Sequence, residues 1–258
     1  MSGMLEIQVP SSLDGSIETS LLHLPSAGDK APLVVGLHSW SFGRTNQIER
    51  MLPYVQELGW GLLLPEFRGA NLATNPRASE ACASELAKQD IVDALTFVCT
   101  EHADTVDPER VLLLGGSGGG HMALCMAGHR PELWAMVSSW CPITDVGRWH
   151  SENPNYVAGM EACCGGAPDE RPDEYRQRSP VACIDTIAKA NVSIYHGRWD
   201  PSVPYGHSLD LYTELVERHP DAAVYLSIFD GGHELLYEIA FRSFEQAVKK
   251  TPSAGLTG

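Results

Sequence analysis

The sequence predicts an α/β chain: a mostly parallel, twisted sheet with helices on both faces and an antiparallel hairpin at its N-terminal edge. Three observations predict it. Short apolar runs bounded by turn residues recur from Leu33 onward and read as buried strands. Helical patterns lie between most of them, as parallel strand order requires. The first two apolar segments are joined only by Ser11-Ser12-Leu13-Asp14-Gly15, which suits a hairpin.

The hairpin strands are expected at Leu5–Val9 and Ile17–Leu24. The buried strands follow at Leu33–Leu37, Gly61–Leu64, Val111–Leu114, Ala135–Ser138, Val192–Tyr195 and Ala223–Phe229. Ser84–Thr100 reads as a helix, with Leu86, Ile91, Leu95 and Val98 roughly on one face. Met122–Ala127, Ser208–Glu217 and Glu234–Val248 read the same way. From Pro142 to Pro180 neither period holds, and Pro, Gly, Trp and Arg are scattered. This insertion follows a strand, at the edge where such sheets bind ligands, so a cap or pocket wall is expected. The bland alternative is a long surface loop with a short helix or two. The small, polar tail from Thr251 to Gly258 is expected to fray.

The 258 residues suffice for one α/β domain, 1–258, with 142–180 as its insertion. A formal net charge of −15 repels phosphate backbones and anionic lipid headgroups, which argues against nucleic acid and membrane as partners. Met1 to Pro10 has neither the basic run nor the apolar core of a secretory signal. No apolar stretch approaches bilayer-spanning length. Seven cysteines, an odd count without a C-x-x-C pair, read as free thiols in a reducing cytoplasm. Cys163-Cys164, near His150 and Glu161, lacks the spacing of a metal site, so no metal is expected.

The chemistry concentrates at Gly115-Gly116-Ser117-Gly118-Gly119. An apolar strand runs into it and a helical segment leaves it, the setting in which a serine on a sharp turn is presented as a nucleophile. A phosphate loop would need Lys then Ser or Thr after the last glycine; Gly120 is followed by His121-Met122. A serine needs a base, and in this arrangement the base comes last, after an acid. The last of the ten histidines, His233, stands just past the final strand. Asp200, immediately after the strand at Val192, is the preferred acid. Asp230 is the runner-up, on the same loop as His233, and Asp185 lies before its strand. The oxyanion hole needs two N–H donors. Gly118 supplies one, and Trp40 in His38-Ser39-Trp40 is the candidate for the other. His38 is expected to support that loop by hydrogen bonding.

With these residues in place, the chain resembles the catalytic domain of the prolyl oligopeptidase family and its dienelactone hydrolase-like relatives. The resemblance rests on His38-Ser39-Trp40; Pro65-Glu66-Phe67-Arg68-Gly69; Gly115 to Gly120; Tyr175-Arg176-Gln177-Arg178-Ser179-Pro180; His196-Gly197-Arg198-Trp199-Asp200-Pro201-Ser202-Val203-Pro204; and Gly231-Gly232-His233. It implies an α/β-hydrolase fold and acyl transfer to water, with Ser117, Asp200 and His233 at the triad positions. Relatives usually carry glycine after the oxyanion-loop histidine, where this chain has Ser39. Peptidases of the family also carry a large N-terminal propeller, whereas only about thirty residues precede the first core strand here.

The expected function is therefore a serine carboxylesterase without metal or organic cofactor, acting on a small-molecule ester. A peptidase or amidase using the same triad is the alternative, and a non-catalytic hydrolase-like binding protein is a third reading. Trp199 and Trp149 are candidate substrate-binding residues through aromatic stacking; Trp140 is read as core. Arg148, Arg171, Arg176 and Arg178 make the insertion locally basic, which suits either a solvated face or recruitment of an anionic substrate.

Overall fold

Eight strands form one sheet in the order β1-β2-β4-β3-β5-β6-β7-β8 in a computed structural model that describes residues 3–25 and 30–250. The tail read as frayed lies outside the described residues. β1 (Leu5–Pro10) and β2 (Ile17–His23) form the expected hairpin, and β2 pairs antiparallel with β4 (Gly61–Pro65). β3 (Ala31–Leu37), β4, β5 (Val106–Gly116), β6 (Met136–Trp140), β7 (Val192–Gly197) and β8 (Val224–Phe229) are parallel. This is the α/β-hydrolase fold.

The strands read as apolar runs because both sheet faces are covered. On one face, Val35, Leu37, Leu113 and Ile194 pack against α2 (Glu85–Glu101), α3 (Gly118–His129) and α8 (Gly206–Arg218). On the other, the alternate residues Val34, Leu112 and Leu114 meet Met51 and Val55 of α1 (Ile48–Leu58) and Phe241 and Phe244 of α9 (Tyr237–Lys250). Ser84 caps α2, its hydroxyl accepting the Ala87 N–H. The sequence reading named no helix at α1. Ile48, Met51 and Val55 share one buried face there, and Pro53 sits inside the helix.

The insertion is not a bare loop. It holds α4 (Val146–Glu152), α5 (Val157–Cys164) and α6 (Pro172–Gln177), and α7 (Ile184–Ile187) follows. Ile143, Trp149, Met160, Cys163 and Tyr175 form a third apolar cluster with Trp40 and Val203. Among the described residues no helix is long and apolar enough to cross a membrane.

The chain reverses its direction of sheet growth between β3 and β5, which are neighbours in the sheet. The crevice beyond their C-terminal ends is where such sheets bind ligands. The loop after β3 carries His38-Ser39-Trp40, and the turn after β5 carries Ser117.

One buried charge ties the hairpin to this frame. Arg68 follows β4 with φ +74 and its side chain is fully buried. Its Nε and Nη2 donate to Asp90 at 2.5 and 2.9 Å, and Nη1 donates to Asp14 and Glu80 at 2.7 and 2.8 Å. Arg68→Ala leaves the buried Asp90 without its cation, while Glu80 keeps Arg77. We expect a loss of about 3–5 kcal/mol, read as a lower urea midpoint; an unchanged midpoint contradicts the hub role.

Candidate active site

Ser117 closes β5 and opens α3 with φ +58 and ψ −121, a conformation rare for a residue with a side chain. It is held from both sides: its N–H donates to the Trp140 carbonyl at 2.8 Å, and its carbonyl accepts the His121 N–H at 2.9 Å. The turn is tight enough that a Cβ on Gly115 would overlap the Gly119 carbonyl. A Cβ on Gly118 would overlap the Trp40 backbone nitrogen. The Trp40 main chain therefore lies directly against the first residue of α3. Neither the Trp40 nor the Gly118 N–H meets an acceptor among the described residues, as expected for a loop and a first helical turn. His38 supports the loop through Nε2 to the Glu66 carbonyl at 2.8 Å and stacks on Phe67 at 3.8 Å.

The β7 and β8 loops bring His233 and Asp200 together. Two backbone bonds join these loops: Arg198 N–H to the Phe229 carbonyl and Trp199 N–H to the Gly231 carbonyl, each 2.9 Å. His233 Nδ1 lies 2.6 Å from Asp200 Oδ2. The Asp200 side chain is fully buried, whereas His233 is 26% exposed. Asp200 Oδ1 accepts the Ser202 and Val203 N–H groups at 2.8 and 2.9 Å, and His196 Nε2 lies 3.2 Å from Oδ2. Burial alone pushes this carboxyl up. The hydrogen bonds from His196, His233 and Val203 outweigh it and hold the group well below the usual carboxylate range. An ionised Asp200 only accepts, so Nδ1 of His233 carries a proton, and the tautomer of the neutral ring is the one with its lone pair at Nε2. Asp230 instead accepts the Trp199 indole N–H at 2.8 Å.

Ser117 and His233 line one cavity of about 190 Å³. No hydrogen bond joins their side chains among the described residues, and catalytic contacts in a ligand-free site are often longer than in the complex. Cys141, with φ +45, also lines it. Burial pushes its thiol up to about 12, and the sulfur points at the Gly232 and Glu234 carbonyls on either side of His233. Cys141, His196 and Asp200 offer three potential metal-ligand atoms within 4.8 Å of one another. His196, however, is engaged by the Val203 carbonyl and Ser208 Oγ.

The other candidates lie elsewhere. Trp149 is buried, gives its indole N–H to the Ser202 carbonyl, and packs edge-on against Trp40 at 4.9 Å. It stands behind the His38-Ser39-Trp40 loop, outside the cavity lining. Trp199 is 65% exposed beneath the Arg198 guanidinium and does not line the cavity either. The insertion contributes no residue to this lining; it packs on Trp40 and, through Trp149 and Asn153, holds the Ser202 carbonyl in the loop after Asp200. Arg178 is no part of a solvated face: it is buried and donates to the carbonyls of Ala81, Cys82 and Ser79. Sequence reasoning missed Asn46, Gln47, Glu234, Leu235 and Tyr237, which complete the wall with Ser39.

Below the elbow, His121 is fully buried and its Nε2–H donates to the Arg178 carbonyl at 2.6 Å. Burial lowers its pKa from 6.5 to about 4. Its stabilising contribution is complete above pH 6.5. As pH falls the unfolded chain takes up a proton that the folded chain refuses until about pH 4. About 3 kcal/mol is lost across that window. Urea midpoints of wild type and His121→Gln check this; parallel declines contradict it.

Comparison with known proteins bears on the family and the fold. The model of the prolyl oligopeptidase family (peptidase S9) matches residues 80–248. An uncharacterized peptidase of Bacillus subtilis, YtmA, is 29% identical over 147 residues, 56% of this chain and 57% of its own length. The acylamino-acid-releasing enzyme of Arabidopsis thaliana is 23% identical over 211 residues, 75% of this chain and 26% of that protein. Among solved structures, an acylaminoacyl peptidase in complex with Z-Gly-Gly-Phe-chloromethyl ketone superimposes with TM-score 0.78 at 19% identity, over 99% of this chain and 42% of that one. A puromycin-hydrolyzing peptidase of Mycobacterium tuberculosis gives 0.75 at 19% identity, over 94% and 38%. At such identities the structural likeness speaks to the fold alone. The family model, which spans well over half of the sequence, carries the assignment: the chain belongs to the prolyl oligopeptidase family of serine hydrolases.

Proposed function

We propose that the chain is a serine peptidase that cleaves amide bonds of small peptides or acylated aminoacyl compounds through an acyl-enzyme. The observation that carries the reading is the 2.6 Å contact between His233 and a buried, ionised Asp200, on the same cavity as Ser117. Ser117 attacks the carbonyl carbon while His233 Nε2 takes its proton. Asp200 fixes the tautomer and balances the imidazolium. The Gly118 and Trp40 N–H groups receive the oxyanion. His233 then returns the proton to the leaving nitrogen, and water repeats the cycle on the acyl-enzyme.

The peptidase reading replaces the carboxylesterase expected from sequence because the family is a peptidase family and the curated relatives include one named as a peptidase and two named as acylamino-acid-releasing enzymes. The same triad acts on activated esters, so ester turnover alone does not separate the two. Assaying an N-acetylalanyl 4-nitroanilide beside the 4-nitrophenyl ester of the same acyl group does. Turnover of both supports the peptidase; turnover of the ester alone restores the esterase. Failure of a fluorophosphonate to label Ser117 favours the non-catalytic reading. Seven unbridged cysteines suit the reducing cytoplasm as the site of action.

A further inference from the structure

Asn46 lies just ahead of α1 and lines the same cavity as Ser117 and His233. Its Oδ1 accepts the Ser39 backbone N–H and the Gln47 Nε2–H, each at 3.1 Å. A backbone N–H is always a donor, so the Ser39 contact settles which end of the amide is oxygen. The Nδ2 group, with two N–H donors, therefore points away from the loop, and no acceptor meets it among the described residues. The orientation is braced by a second lining residue: the Tyr237 hydroxyl donates to Gln47 Oε1 at 2.5 Å, and Gln47 is buried.

The cavity's position says which half of a substrate it takes. Asn46 shares its lining with Ser117 and with His233, Glu234, Leu235 and Tyr237, the loop and helix start that carry the imidazole. The proton that His233 takes from Ser117 goes to the leaving atom, so the leaving group must lie on the imidazole side. We propose that Asn46 is a specificity-determining residue whose Nδ2 donates to the carbonyl oxygen of the residue that leaves. This rests on the peptidase reading and adds that the leaving group is itself an aminoacyl or peptidyl unit. The Glu234 carboxylate on the same wall disfavours a leaving amino acid with a free carboxylate, which points to an internal peptide bond or a blocked C-terminus.

Two amides with the same N-acetylalanyl group test this: one releases alaninamide, which has the carbonyl, and the other isopropylamine, which lacks it. kcat/KM for both is read from the released amine with wild type, Asn46→Ala and Asn46→Asp. The aspartate keeps an oxygen for the Ser39 N–H but replaces the donor by a charged acceptor, and the alanine removes the donor without adding charge, so a selective loss shared by both separates the proposed contact from the bracing of the loop and from charge. Each variant is expected to lose about five- to tenfold more on the alaninamide substrate, the size of one neutral hydrogen bond. Equal losses on both amides, with wild type active, overturn the proposal and leave Asn46 as a loop brace. If wild type cleaves neither amide, the peptidase reading fails and the proposal with it.

Discussion

On the proposed mechanism, Ser117→Ala is expected to lower kcat by about four orders of magnitude or more and to abolish fluorophosphonate labelling. The size follows from what the hydroxyl does: without it no covalent intermediate forms, and His233 has no proton to move. The oxyanion donors and the cavity remain, so a residual rate above that of water is expected, about 10³–10⁴-fold on the triad precedent. The substitution is nearly silent for the fold. The Ser117 hydroxyl makes no hydrogen bond among the described residues, and the bonds that hold the turn come from its backbone N–H and carbonyl. Alanine tolerates φ +58 no worse than serine does. Turnover and the urea midpoint measured on one preparation separate the two effects. Activity above about 1% of wild type with an unchanged midpoint removes Ser117 from the nucleophile role.

What was legible in the sequence was set by local physics. Strands buried on both faces are mostly apolar, so β3 and β4 read as nearly unbroken runs, and β7 as a run whose polar residues, Ser193 and His196, are buried too. The alignment of Ser117, Asp200 and His233 was legible because each follows a strand of a parallel sheet, and all such loops open on one edge. Local rules failed where tertiary contacts decide. α3 starts at Gly118, although three glycines open it and argue against a helix, because the turn at Ser117 supplies the first bond, from the His121 N–H. α1 was hidden by Pro53, whose missing N–H weakens a helical reading even where Ile48, Met51 and Val55 keep the spacing. β5 reaches back to Val106 through Asp107-Pro108-Glu109-Arg110, a polar stretch that pairs Val106 with Ala31 across a register shift. The cavity wall was the least legible part. Tyr237 meets Gln47 across 190 positions of sequence, and nothing local to either residue signals the other. Trp149 and Trp199 look alike as aromatics near strand ends, yet one is core and the other open to solvent.

Asp200→Asn tests the second half of the site and is expected to lower kcat by about 10⁴-fold near neutral pH. The asparagine oxygen can still accept the Ser202 and Val203 N–H groups, so the loop keeps its shape. Its Nδ2 then faces His233 Nδ1 and can only donate. The imidazole must answer with a lone pair at Nδ1, which moves its proton to Nε2, the atom that should take the proton of Ser117. The loss is thus one of tautomer rather than of position. The wild-type carboxyl also fixes the pH behaviour. Its folded-state pKa is depressed, so its contribution to stability is complete above the unfolded carboxylate range, near pH 4, and is lost only as pH falls through the lower folded value. From pH 5 upward Asp200 therefore stays ionised, and the wild-type rate carries no limb from it. An Asp200→Asn enzyme that retains a tenth of wild-type kcat, correctly folded, would show that another group orients His233. Asp230, the runner-up on the same loop, is the residue to substitute next, and Asp230→Asn in the wild-type background is expected to leave kcat within about twofold, since its carboxylate is engaged by Trp199.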